Sequence, residues 1–223
     1  PAPIIVAILG VETRYGRHKG GYRILDSLTT LAVDYPRRAS FFRSELEHFL
    51  LLAREENMDP LELVGSYAGA MGKPQFIASS YRAYAVDFDG DGKRDLLNST
   101  ADAIGSVANY FKRHGWRAGE PVTYRATVKG KRYRHLVDKG LKPSLHLARW
   151  DDYGVAIEAD LPPATPAALI ELEQRNGREY WAGLQNFYAI TRYNHSELYA
   201  MAVYQLSQAI NDGYEKTKVA TND

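Results

Sequence analysis

An almost wholly apolar run, Ile4-Ile5-Val6-Ala7-Ile8-Leu9-Gly10-Val11, ends in one carboxylate, Glu12, followed by Thr13-Arg14-Tyr15-Gly16. Apolar residues recur at 4, 5, 8, 9 and 11, and Pro3 suits a first helical turn, so the run predicts a helix. Gly16 is expected just past its end. Glu12 then falls in the last turn, where the negative end of the helix macrodipole and apolar surroundings both oppose its charge. Those two effects make a carboxylic acid a general acid near neutral pH. A charge at the frayed end of a core helix is the plainer alternative, and this segment alone does not decide between them. Either way the helix needs a core around it, and 223 residues are enough for one large domain or two small ones.

Composition removes several classes. With no cysteine there is no disulfide framework, thiol nucleophile or thiolate metal site. No apolar run reaches membrane-spanning length. No signal peptide is visible, and a chain opening directly on a candidate active-site helix is expected to be mature or trimmed material. The net charge of +1 hides an asymmetry: residues 113–149 hold ten Lys/Arg against Glu120 and Asp138. Such a segment suits an anionic polymer, nucleic acid or bacterial wall material, or is a solvated strand surface.

Residues 1–112 read as helical. Asp26-Ser27-Leu28 opens a helix that Pro36 ends, and 39–56 is a long amphipathic helix. Asp59-Pro60 opens another, 67–74 is a small-residue loop, 79–86 is a short helix, and Thr100 caps a helix to His114. After Gly115 the pattern turns to β at 122–128, 133–137 and 145–150. Arg175-Asn176-Gly177, between 168–173 and 179–181, signals a hairpin. Helix returns at 184–190 and 196–210. The expected fold class is mainly α (α+β). A helical core (1–114) carries an inserted β-rich subdomain (115–183), and C-terminal helices (184–223) complete that core.

Asp87-Phe88-Asp89-Gly90-Asp91-Gly92-Lys93-Arg94-Asp95 places oxygens at positions 1, 3, 5 and 9 of an EF-hand-like loop. Gly92 stands at the turn position, and the Lys93 carbonyl at position 7. Crowded carboxylates repel unless a cation offsets them. Position 12 is Asn98 rather than Glu, and Asp102 lies where it closes a longer loop. A sensor normally pairs two such loops; one alone reads as a structural clip.

Taken together, these strings resemble the lytic murein transglycosylase B family, soluble or membrane-bound. The carriers are Gly10-Val11-Glu12-Thr13-Arg14-Tyr15-Gly16, Asp34-Tyr35-Pro36-Arg37-Arg38, and Ser66-Tyr67-Ala68-Gly69-Ala70-Met71-Gly72-Lys73-Pro74-Gln75-Phe76. The Asp87 loop, 102–111 and 187–195 complete the set in the same order. Members usually carry more sequence before the catalytic helix. The resemblance implies a lysozyme-like core that cleaves the β-1,4 bond between N-acetylmuramic acid and N-acetylglucosamine without water, leaving a 1,6-anhydromuramoyl end. Glu12 is the implied acid and then base. No other acid stands among residues 1–25, so the substrate's own acetamido oxygen would stabilise the cationic centre.

Ser66, Gln75, Tyr110, Tyr188 and Tyr193 are the implied sugar contacts. Asn194 would orient Glu12, and Arg37 and Arg38 would meet a lactyl or peptide carboxylate. Asp87, Asp89, Asp91, Lys93, Asp95 and Asp102 would hold one structural calcium or sodium ion, with no cofactor for the chemistry. The implied partner is the peptidoglycan glycan strand, not nucleic acid. The expected form is a monomer in a Gram-negative periplasm, with a lipid anchor possible in a full-length form. A hydrolytic muramidase or a non-catalytic wall-binding module remain the alternatives.

Overall fold

The apolar run forms α1 (Ala2–Thr13), with Pro3 in its first turn. The structure is a computed structural model that describes residues 1–220; the last three residues of the predicted 184–223 segment lie outside the described residues. Ile4, Ala7, Ile8 and Leu9 are buried, whereas Ile5 and Val6 are half-buried and Val11 is exposed. The helix stops earlier than Gly16 predicts. Arg14 and Tyr15 already take left-handed backbone, φ 49° and 61°, ahead of Gly16 at 85°. Their N–H groups donate to the Gly10 and Leu9 carbonyls, 3.0 Å each. Closing those end carbonyls offsets a backbone cost of roughly 1–2 kcal/mol per residue.

The chain divides into two compact units, Pro1–Arg113 and His114 onward. In the first, a two-residue strand β1 (Tyr22–Arg23) pairs antiparallel with β2 (Val64–Gly65). The helices are α2 (Ile24–Asp34), α3 (Ala39–Glu55), α4 (Ala78–Tyr84) and α5 (Thr100–Arg113). α2 starts before the predicted cap: Arg23 is its N-cap residue, and Asp26 lies inside the first turn, its carboxylate accepting from Arg23 Nε (2.8 Å). Asp59-Pro60 opens a turn, not a helix. Asp59 Oδ1 accepts from the Leu61 N–H (2.8 Å), and the chain then extends into β2. For α5 the cap is Ser99, whose hydroxyl accepts from the Asp102 N–H (3.1 Å), one residue before the predicted Thr100. Ile8, Ile24, Leu28, Phe49, Leu52, Leu96 and Val107 are fully buried and form the core. Tyr81 is buried among them; its hydroxyl donates to the Arg94 carbonyl and accepts from the Leu96 N–H (3.0 Å). Burial holds that phenol well above its usual range.

The second unit is built on β3 (Thr123–Val128), β4 (Leu145–His146), β5 (Val155–Ile157), β6 (Pro166–Gln174) and β7 (Gly177–Gly183). They form one antiparallel sheet in the order β4-β6-β7-β3-β5. The predicted hairpin is β6–β7, closed where Gln174 pairs with Gly177. The predicted strand at 133–137 is instead α6 (Arg134–Val137). Tyr133 and Leu136, one helical turn apart, pack with Trp150 over Leu169 and Ala182. Residues 145–150 hold only the short β4 before turning through 3-10 geometry. Along β6 both alternating sets are buried, Ala167 and Leu169 on one face and Ala168, Ile170 and Leu172 on the other. That is why the segment reads as nearly continuous apolar sequence. α7 (Gln185–Tyr193) and α8 (Glu197–Ala220) follow, with α8 against α7 and β6. The basic residues Lys129, Lys131, Arg132, Arg134, Lys139 and Lys142 are all exposed, on and around α6 rather than on a strand. Among the described residues no helix is long and apolar enough to cross a membrane.

Candidate active site

Glu12 lies half-buried in the last turn of α1, beside exposed Val11 and fully buried Thr13. Thr13 is where this helix end is tied down. Its hydroxyl donates to the Lys73 carbonyl (2.8 Å), across sixty residues of sequence, and accepts from the Gly16 N–H (2.9 Å). The loop it reaches is the Gly-rich string at 65–76. That loop approaches its neighbours too closely for side chains: a Cβ on Gly72 would lie 2.5 Å from the Leu96 carbonyl oxygen, and Gly72 also needs φ 74°. An antiparallel bridge between Met71 and Phe76 pins its tip.

Within this loop Gln75 has φ 52°, and its amide nitrogen donates to the Lys19 and Gly72 carbonyls (3.1 and 3.0 Å). Both amide hydrogens are therefore spent on backbone, and Oε1 is left as an acceptor. The Ser66 hydroxyl accepts from the Ala68 and Ala70 N–H groups (3.3 and 3.0 Å), so it holds the turn. Tyr110 on α5 is buried, its ring against Phe76, Tyr84 and Phe111 at centroid distances of 5.6, 5.0 and 6.2 Å. Those neighbours occupy the ring, which argues for packing rather than sugar stacking. α1, the Gly-rich loop and α5 thus form one cluster around Thr13, Lys73, Gln75 and Phe76.

The other predicted contacts are carried by other elements. Arg37 and Arg38 form a 3-10 turn between α2 and α3. The Arg38 guanidinium stacks over Phe41, 4.3 Å to the centroid, and Arg37 is exposed. Tyr188 and Tyr193 are half-buried on α7 in the second unit, with Arg192 over the Tyr188 ring at 5.7 Å. Asn194 ends α7, exposed, and its side-chain oxygen accepts from the Ser196 N–H (3.2 Å). A cleft of about 460 Å³ in the first unit is walled by Glu56, Asp59, Arg94 and Asn98 and includes neither Glu12 nor Gln75.

In the cation loop, Asp87, Asp89 and Asp102 bring ligand oxygens within 4.8 Å of one another, the first two exposed and Asp102 buried. This donor set of hard oxygens fits a calcium-type ion. Asp102 is held in place by accepting from the Phe88 and Asp95 N–H groups (2.8 and 2.7 Å). Asp87 accepts from the Gly90 and Gly92 N–H groups (2.7 and 2.9 Å). Of the other predicted ligands, Asp91 Oδ1 accepts from the Lys93 N–H, and Asp95 Oδ1 from the Leu97 and Asn98 N–H groups, 2.9 Å each. Sequence reading missed Thr13, Lys19 and Lys73. They act through backbone carbonyls far away in the chain, a relation that leaves no motif.

The sequence profile of the transglycosylase SLT domain matches residues 1–208. Over 210 residues the chain is 51% identical to the membrane-bound lytic murein transglycosylase B of Escherichia coli strain K12, covering 94% of this chain and 57% of that protein. The chain therefore spans less than two thirds of that relative's length. It is similar in structure to the soluble lytic transglycosylase SltB1 of Pseudomonas aeruginosa, with 52% identity, a TM-score of 0.90, and coverage of 96% of this chain and 71% of that one. It is also similar to the Escherichia coli lytic transglycosylase Slt35 solved in complex with calcium, with 50% identity, a TM-score of 0.85, and coverage of 96% and 67%. The lysozyme-like α+β architecture is common to these neighbours, and on these matches the chain belongs to the transglycosylase SLT domain family.

Proposed function

We propose that the chain cleaves the β-1,4 bond between N-acetylmuramic acid and N-acetylglucosamine in peptidoglycan without water, leaving 1,6-anhydromuramoyl ends. The observation that carries this reading is Glu12 in the last turn of α1, anchored next door by Thr13 to the Gly-rich loop. Half-burial and the helix macrodipole both disfavour the carboxylate there, which favours a proton held ready for donation. Glu12 donates that proton to the leaving glycosidic oxygen as the C1–O bond breaks. The substrate's acetamido oxygen stabilises the developing cation. Glu12, now a carboxylate, removes the proton of the muramic O6 hydroxyl as that oxygen bonds to C1. One carboxyl group serves both steps, and its general-acid part is worth ~10²–10⁴-fold in rate.

Gln75 Oε1 is the acceptor the Gly-rich loop offers to a sugar N–H, and Arg37, on the turn between α2 and α3, is the guanidinium for a lactyl or peptide carboxylate. Tyr188, Tyr193 and Asn194 remain candidate contacts, as does the hydroxyl of Tyr110. Asp87, Asp89 and Asp102 would hold one structural calcium or sodium ion, stiffening the loop and supplying no chemistry. Its support is the convergence of these three carboxylates and the calcium complex of the Slt35 relative. A peptidoglycan substrate implies the bacterial envelope, and within this reading the protein acts in the periplasm as a monomer. The test is digestion of purified sacculi beside chitin oligomers. The reading predicts soluble muropeptides from sacculi and uncut chitin oligomers, which lack the muramic substituent. Intact sacculi, or efficient cleavage of chitin, would contradict it.

A further inference from the structure

Lys73 links the cation loop to the helix end that carries Glu12. Lys73 follows Gly72 in the Gly-rich loop. Its N–H donates to the Leu96 carbonyl (2.9 Å), and its own carbonyl accepts the Thr13 hydroxyl (2.8 Å). Its ammonium reaches the far side of the cation loop, donating to the Asn98 carbonyl and to the Thr100 hydroxyl (2.7 Å). The aliphatic stem covers the turn after α1: a Cβ on Gly16 would lie 3.1 Å from Lys73 Cγ. Lys19 supports the same segment from the other side, its ammonium donating to the Leu97 carbonyl (2.8 Å) and its carbonyl accepting from Gln75.

The segment these lysines grip is the one the cation cluster fixes. Asp102 Oδ2 accepts from the Asp95 N–H, and Asp95 Oδ1 accepts from the Leu97 and Asn98 N–H groups. Ser99, between the Lys73 partners Asn98 and Thr100, donates its hydroxyl to Asp89 (2.8 Å). Residues 95–100 are thus held by the cluster at one end and by Lys73 and Lys19 at the other. Without a cation, Asp87, Asp89 and Asp102 repel one another across less than 4.8 Å, and the anchor loosens. An ammonium bonded to a backbone carbonyl and a hydroxyl transmits that looseness directly to the Thr13 anchor.

We propose that Lys73 is a positioning residue for the reaction: it couples occupancy of the cation loop to the placement of Glu12. The inference rests on Glu12 being the acid. Lys73→Met keeps the stem over Gly16 and removes the donors; Lys73→Arg restores donors to the same segment. Turnover on peptidoglycan and Tm are measured across a calcium titration for these variants, wild type and Glu12→Gln. In the wild type, calcium should raise Tm and kcat together. In Lys73→Met, calcium should still raise Tm, KM should stay near wild type, and kcat should fall about tenfold to a hundredfold and stop responding to calcium. Lys73→Arg should regain most of the lost kcat and its calcium response.

A wild-type kcat indifferent to calcium, or a Lys73→Met kcat that follows calcium as wild type does, would overturn the coupling while an inactive Glu12→Gln left the catalytic reading standing. Turnover by folded Glu12→Gln would overturn the catalytic reading itself. Should Lys73→Met fail to fold, Thr100→Val removes one acceptor only and should shift kcat and its calcium response in the same direction by less.

Discussion

The two units are held together by different means. In the second, order comes from a continuous ladder: β6 and β7 pair from Ala168–Gly183 to Gln174–Gly177, and apolar side chains are buried on both faces. In the first, the segments around Glu12 have little regular structure. They are fixed by side chains bonded to distant backbone: Thr13 to Lys73, Gln75 to Lys19, Lys19 to Leu97, and Lys73 to Asn98. A ladder shares its load over many bonds. A long-range side-chain bond places one segment and has no understudy. Changes in the sheet of the second unit should therefore cost stability without altering chemistry per folded molecule, whereas changes near Glu12 should alter chemistry at small cost in stability.

The largest effect should come from Glu12→Gln, which removes the proton donor but keeps the shape: turnover falls by at least ~10²-fold and Tm is nearly unchanged. Melting curves and rates on the same preparation check this. Leu169→Ala, in the apolar cluster under α6, should cost about 2–5 kcal/mol in denaturant unfolding with kcat per folded molecule unaltered. A large kcat loss there would break the contrast between the units. Gln75→Ala leaves the Lys19 and Gly72 carbonyls without their donor and should lower turnover by the equivalent of about 1–3 kcal/mol, more than it lowers stability. With a weak extracellular-type site, Kd on the order of 10⁻⁴–10⁻³ M, 10 mM calcium should stabilise by about 1.4–2.7 kcal/mol. A chelator should reverse the rise in Tm, and Asp102→Asn should abolish it. Arg178→Ala, which breaks pairs with half-buried Glu171 and exposed Glu173 on the hairpin, should lower Tm only slightly.

The sequence showed what is periodic and local. The apolar run became α1, Arg175-Asn176 became the β6–β7 turn, and the aspartate spacing became a cluster of converging carboxylates. It misled where two periods fit equally well, as at 133–137, where Tyr133 and Leu136 suit either a strand edge or a helical face until Trp150 packs against them. It misled again at Gly16, because local backbone bonds from Arg14 and Tyr15 to the helix-end carbonyls close the helix before the glycine is reached. β1 and β2 were invisible, since two residues carry no alternation. At the site, the residue types of Ser66 and Gln75 drew attention to sugar binding, while their bonds hold the loop. Nothing local marks Lys73, because its partners Asn98 and Thr100 lie in another segment of the chain.

The central claim is that one carboxyl group, Glu12, both donates and recovers the proton, so that no water enters the product. Mass spectrometry of the muramic ends released from sacculi by wild-type protein tests it most directly. The account predicts ends one water lighter than reducing muramic acid, formed by wild type and absent with Glu12→Gln. Reducing muramic ends as the main product would contradict it.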